Sequence, residues 1–210
     1  MLVASGCASI AAPIRPLVIA HRGGKENWPE NTLYAFEEAR KVGVKAIELD
    51  VQVTRDGIPV LYHPTDLSQW TDGAGNVGDH TFQQIRTLNA AWKYGADKSY
   101  PYRAKNLRIP TLVEVLQAIP DIPVIVDMKS LPEEKLVAAL LKHIPESEWK
   151  RLTFYSTNEG HLVHLKKGKP DAIMFEPRKM TRVRLLHSIH RNVATCRRRP
   201  FGSALSFDGR

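Results

Sequence analysis

The chain is 210 residues long, 43% hydrophobic and 25% charged, with no low-complexity tract. That is the composition of one sizeable globular domain, not of a disordered or disulfide-dependent chain. The formal charge of +8 is local: residues 178–210 carry nine Lys/Arg against one acid, and the preceding 177 residues balance at 21 of each. The basicity therefore belongs to the tail, and no nucleic acid is expected as a partner despite the run Arg197, Arg198, Arg199.

Cys7 and Cys196 stand near the two ends, which suits neither a metal knuckle nor a disulfide framework. In segment 1–16, the residues from Met1 to Cys7 resemble the end of a bacterial lipoprotein signal, where small residues precede a lipidated cysteine. A basic start and a longer apolar core are missing. A lipid anchor at Cys7, with a periplasmic or membrane-anchored protein, is the expectation if the true start lies upstream; otherwise the expected location is cytoplasmic. No stretch reaches transmembrane length.

Along residues 17–177, elements alternate. Leu17 to Ala20 reads as a short strand, ending at His21, Arg22, Gly23 and Gly24, where glycine permits a sharp turn. Pro29 to Thr32 opens a helix with Asn31 as its expected N-cap. Leu33, Ala35, Phe36, Ala39 and Val42 give that helix an apolar side, and Gly43 stops it. The stretch from Lys45 to Val53 alternates strictly, with Ile47, Leu49, Val51 and Val53 on one face and Ala46, Glu48, Asp50 and Gln52 on the other. Asp56–Gly57 is a tight turn into a strand over 58–62, ended by His63.

Residues 71–79 read as an ordered loop, and 89–106 as an aperiodic excursion over the site. Trp28, Trp70 and Trp92 are candidates for the substrate mouth or for packing, and Trp149 is expected to pack. Thr111 and Glu114 form a capping box for a helix through Leu112, Val115, Leu116 and Ile119. Pro123 to Lys129 is a strand placing Asp127 and Lys129 on one face. A helix through Leu136, Leu140 and Leu141, a strand over 151–155, a helix over 161–167 and a strand over 172–175 follow. Residues 181–190 read as one more helix.

Alternation of this kind implies a parallel sheet covered by helices. Charged residues near strand ends favour a TIM-type (β/α)₈ barrel, where inward carboxylates line the catalytic rim. Paired carboxylates on two apolar strands suit a hard divalent cation. The six histidines other than His21 and His63 are read as surface residues. Six strands leave the barrel about two βα units short, so the C-terminal tail is expected to be truncated or frame-shifted.

The ordered set His21-Arg22-Gly23, Pro29-Glu30-Asn31-Thr32, Glu48-Leu49-Asp50, Thr54-Arg55-Asp56-Gly57, His63, Thr71 to Gly75, Ile109 to Leu112 and Asp127-Met128-Lys129 resembles the glycerophosphodiester phosphodiesterase family. The resemblance spans about residues 17–176. It implies a (β/α)₈ barrel that uses Mg²⁺ or Ca²⁺ to hydrolyse glycerophosphodiesters to an alcohol and sn-glycerol 3-phosphate. By that resemblance Glu48, Asp50 and Asp127 would hold the metal, and His21 and His63 would be the acid–base pair. Arg22 and Lys129 would contact phosphate, while Glu30 and Asn31 would brace the site. Asp127 stands where the family usually has Glu, and Pro64 where an acid is commoner. The alternative is a catalytically inactive remnant that at most binds phosphodiesters.

Overall fold

The computed structural model describes residues 17–176. The expectations for segment 1–16 with Cys7, for a helix over 181–190 and for the basic tail fall outside those residues.

Five strands lie parallel in the order β1 (Ile19–His21), β2 (Ala46–Val53), β4 (Val124–Met128), β5 (Leu152–Tyr155) and β6 (Ile173–Met174). The crossovers carry α1 (Leu33–Val42), α3 (Leu112–Ala118), α4 (Glu133–His143) and α5 (Glu159–Gly168), with a short α2 (Phe82–Ile85) in the long β2–α3 connection. This is part of the wall of a (β/α)₈-type barrel. Ile47, Leu49, Val51, Val124, Val126, Leu152 and Phe154 meet the apolar sides of the helices, through Phe36, Leu112, Val115, Leu136, Leu140 and Leu165, in one continuous core. No helix among the described residues is long and apolar enough to cross a membrane.

β3 (Pro59–Leu61) departs from expectation. It runs antiparallel to β2, with Val53 opposite Pro59 and Val51 opposite Leu61. It is therefore a hairpin arm and not a sixth barrel strand. Since β4 occupies the other edge of β2 at Val51, the hairpin continues the edge that β1 leaves at Glu48. The fold-back has a consequence: Tyr62 N–H donates to Asp50 O at 3.2 Å, so the chain returns to the depth of Asp50 before it reaches His63.

Helix ends follow local chemistry. Thr32, not Asn31, caps α1: its hydroxyl accepts from Ala35 N–H, and Gly43 closes the helix in the left-handed region at φ +83°. Val42, expected on the apolar side, is 70% exposed, since it lies at the last turn beyond the core. The capping box of Thr111 and Glu114 is present on α3. At the other end of α3 the Arg151 guanidinium donates to the carbonyls of Leu116, Ile119 and Ile122 at 2.7, 3.0 and 2.8 Å. Trp149 packs, as expected, with its ring 5.3 Å from that of Phe154.

Candidate active site and metal centre

Parallel register aligns the acidic groups. Asp50 on β2 is the direct partner of Asp127 on β4, and Glu48 is the partner of His21 on β1. Partners in a parallel pair share a face, so Glu48, Asp50 and Asp127 converge: one oxygen from each lies within 4.8 Å of the others. Asp50 and Asp127 are nearly inaccessible, at 1% and 8% side-chain exposure, and Glu48 is at 16%.

The turn after β1 supplies the cations and their braces. Arg22 (φ +53°) and Asn31 (φ +56°) are both left-handed non-glycine residues, and Asn31 N–H donates to Arg22 O at 3.0 Å. Such backbone persists where surrounding contacts fix it, and it concentrates at functional sites. Here Arg22 N–H donates to Glu48 Oε2 at 3.0 Å. Its guanidinium donates to both oxygens of Glu30 at 3.3 and 3.2 Å, and its Nε lies 3.1 Å from Asp50 Oδ2. Asn31 bonds Asp50 twice, donating from Nδ2 to Oδ2 at 2.9 Å and accepting the Asp50 N–H at 3.1 Å. Gly23, at φ +80°, makes the turn possible, because a Cβ there would stand 2.9 Å from Ala35 Cβ and Phe36 Cδ1. Lys129 donates to Asp127 Oδ2 at 2.5 Å and sits 3.3 Å from Asp50 Oδ1.

Glu30, Glu48, Asp50 and Asp127 thus face two permanent cations, Arg22 and Lys129. Burial, with Asp50 and Asp127 beside it, pushes the Glu48 carboxyl up to about 7, against the opposing Arg22 N–H. Burial likewise raises Asp127, although Lys129 works the other way. Two buried oxygens, Asp50 Oδ1 and Asp127 Oδ1, have no hydrogen-bond partner. Unmatched negative charge, orphaned buried oxygens and an all-oxygen donor set fit a hard divalent cation.

Burial lowers both imidazoles below their ordinary value of 6.5. Arg22 adds to the effect at each, and Asp50 opposes it. His21 Nε2 lies 3.8 Å from Glu48 Oε2. Arg22, Glu30, Asn31, Glu48, Asp50, Asp127 and Lys129 thus meet around one centre with His21 beside Glu48, and His63 stands within the influence of Asp50, Arg22, Lys129 and His21.

Sequence reasoning missed two features. His161 is buried at 1% where a surface residue was expected, because helical spacing alone does not reveal the serines that satisfy its ring. The second is a cavity of about 460 Å³ beside the turn, lined by Lys25, Glu26, Trp70, Tyr94, Asp97 and Tyr102 among others. The 89–106 excursion is tied to that turn: Tyr94 and Tyr102 hydroxyls donate to Lys25 O and Asn27 O at 3.1 and 3.4 Å. Of the tryptophans, Trp70 lines the cavity, Trp28 packs on the core and Trp92 lies under the Arg103 guanidinium, 4.2 Å away.

Comparison with known proteins gives the same picture. An uncharacterized protein of Mycobacterium tuberculosis is 38% identical over 176 residues, 82% of this chain and 58% of its own length. A glycerophosphodiester phosphodiesterase of Caldanaerobacter subterraneus is 37% identical over 165 residues, 75% of this chain and 64% of its own. The chain spans under two thirds of these curated relatives. The crystal structure of the glycerophosphoryl diester phosphodiesterase domain of the mycobacterial protein superposes with a TM-score of 0.73 at 36% identity, over 81% of this chain and 63% of that one. An Oleispira antarctica phosphodiesterase, solved with its product sn-glycerol-3-phosphate, gives 0.65 at 33% identity, over 76% of this chain and 64% of that one. Residues 21–199 match the sequence profile of one family across the whole of the site just described, and the chain belongs to that family, the glycerophosphoryl diester phosphodiesterases.

Proposed function

We propose that this chain hydrolyses glycerophosphodiesters to an alcohol and sn-glycerol 3-phosphate with a divalent cation, Mg²⁺ or Ca²⁺. The observation that carries this reading is the convergence of Glu48, Asp50 and Asp127 within 4.8 Å, with the His21 imidazole 3.8 Å from Glu48 and the cations Arg22 and Lys129 fixed against Asp50 and Asp127. Glu48, Asp50 and Asp127 would hold the ion, which supplies positive charge to a phosphodiester anion that otherwise repels nucleophiles. Lys129 and Arg22 add charge aimed at the same phosphate oxygens, preorganised by Asp127 and Glu30 so that little reorganisation remains for the reaction. Asn31 and Glu30 hold Asp50 and Arg22 in place.

His21 and His63 carry the protons. A neutral imidazole, favoured by the lowered values, takes the proton from the attacking hydroxyl, and the second ring, protonated from solvent and kept charged by the phosphodiester anion, gives one to the departing alkoxide, after which exchange with solvent resets both rings. Each transfer is worth about 10²–10⁴-fold in rate. The cavity lined by Trp70, Tyr94 and Tyr102 receives the alcohol half of the diester. Its mixed charged and aromatic lining suits a polar head group better than an acyl chain.

The test is release of sn-glycerol 3-phosphate from a simple glycerophosphodiester, with and without chelator. Hydrolysis that a chelator stops and added cation restores, and that His63→Ala and Glu48→Gln each cut by about 10²-fold or more, is the expected result. Diester binding without turnover under every cation would overturn it.

A further inference from the structure

Lys129 reaches the carboxylates from the first residue beyond β4, where the barrel strand has ended and the chain is turning away. What fixes that residue is a clamp built from both sides. On the β2 side, Lys129 N–H donates to Val51 O at 3.0 Å, and Val53 N–H donates to Ser130 Oγ at 2.9 Å. On the β5 side, the ring of His161 in α5 sets its Nε2 2.7 Å from Ser130 O, and Ser156 Oγ lies 2.9 Å from Met128 O and 3.0 Å from His161 Nδ1. Asn158 N–H donates to the same hydroxyl at 3.1 Å. A ring nitrogen facing a carbonyl must carry the proton, so Nε2–H donates to Ser130 O, while the single Ser156 hydroxyl proton goes to Met128 O or to Nδ1 and not to both. His161 and Ser156 are both buried, at 1% and 3%. Neither touches the carboxylates or the space above them.

We infer that His161 is a positioning residue for the phosphate-binding Lys129. It ties the carbonyl of Ser130, the residue directly after Lys129, to α5, so the backbone that carries the ammonium toward Asp50 and Asp127 is held from the α5 side as well as from β2. An ordinary core histidine would serve packing alone. This one sets one ring nitrogen on the backbone carbonyl beside a site residue and the other on the Ser156 hydroxyl, and an aliphatic side chain of that size could not hold that carbonyl. The inference rests on the phosphate-binding role proposed for Lys129.

The experiment compares the full chain with His161→Ala and His161→Gln, since the Gln amide can present a donor where Nε2 stands. Two readouts are needed. Hydrogen exchange of the Lys129 and Val53 amides should quicken roughly tenfold more than that of Ile47 and Leu49 in His161→Ala, and should return near the parent rate in His161→Gln. In turnover, His161→Ala should raise KM for the diester roughly tenfold, the lower end of the cost of removing a supporting partner, with kcat changed much less, and His161→Gln should restore KM. A loss confined to kcat or to the folded fraction with KM unmoved, or exchange that rises evenly across the sheet, would overturn the positioning role. If the parent chain turns over no diester, the proposed function fails by itself, and exchange at Lys129 and Val53 still decides the clamp.

Discussion

At the scale of single residues, Asn31 shows how much one side chain can carry. Its amide satisfies both the carboxylate and the backbone N–H of Asp50, while its left-handed backbone is one that asparagine tolerates better than most residues. Asn31→Ala removes two hydrogen bonds from a buried acid, leaving Arg22 and Lys129 at its carboxylate and an unpaired N–H beside it, which costs about 1–3 kcal/mol. Because Asp50 is held by that amide, cation affinity should also fall by roughly 10–100-fold. Isothermal titration of the variant with Mg²⁺ or Ca²⁺ checks this, and an unchanged affinity would mean that Arg22 and Lys129 suffice to orient Asp50.

Among whole elements, α3 has both ends secured by identifiable side chains. Arg151 bonds the carbonyls of Leu116 and the C-cap Ile119, and that of Ile122 just beyond, while held by Glu148, placing a cation against the negative end of the helix dipole. Arg151→Ala should cost about 2–3 kcal/mol, the range for several bonds to a charged donor. In a chain of this size that lowers the melting temperature by roughly 5–10 °C. At the N-terminus, burial pushes the Glu114 carboxyl up, but Thr111 N–H, the Arg86 guanidinium and the Thr111 hydroxyl overcome it and hold the group below 4.5. A carboxyl depressed in the folded state adds stability that is present above its unfolded value and is lost as pH falls through the folded one. Glu114→Gln should therefore flatten the decline of melting temperature on acidification below about 4.5, and a parallel decline in both proteins would contradict it.

These elements also show what could be seen in the sequence. The alternation in β2 and β4 was legible because a period of two is set by the pleat, and the capping box of α3 because it is a local pattern. The orientation of β3 was not, since alternation reports which face is buried and not which neighbour a strand meets. The signal existed in Asp56–Gly57, a hairpin turn dipeptide: Gly57 has φ +82°, and Thr54 and Ile58 are bonded across it at 3.1 Å. The N-cap was misplaced by one residue because Asn31 and Thr32 are both good caps, and only the pull of Asp50 on Asn31 decides between them. Glu48, Asp50 and Asp127 could be paired from sequence by their faces, but their register could not, and register is what brings Asp50 level with Asp127.

For the molecule as a whole, the site is a charge problem within the fold. Four carboxylates face two cations, with two buried acid oxygens that lack a hydrogen bond, and burial with mutual repulsion raises Glu48 to about 7, so the fold gains from added positive charge. Folding and cation binding should therefore be linked: an ion that binds the native chain and not the unfolded one stabilises it by about 2.7 kcal/mol at a hundredfold excess over Kd. Unfolding of the 210-residue chain followed by calorimetry in chelator, Mg²⁺ and Ca²⁺ should show a melting temperature that climbs with the logarithm of cation concentration. Asp50→Asn should lose that climb while melting no lower than the parent in chelator, because the substitution removes repulsion as well as a ligand. A parent melt indifferent to both cations would mean that Lys129, already 3.3 Å from Asp50 Oδ1 and bonded to Asp127, supplies the counter-charge itself. The centre would then be an ion-pair network with no place for a metal, and the hydrolytic reading would fall with it.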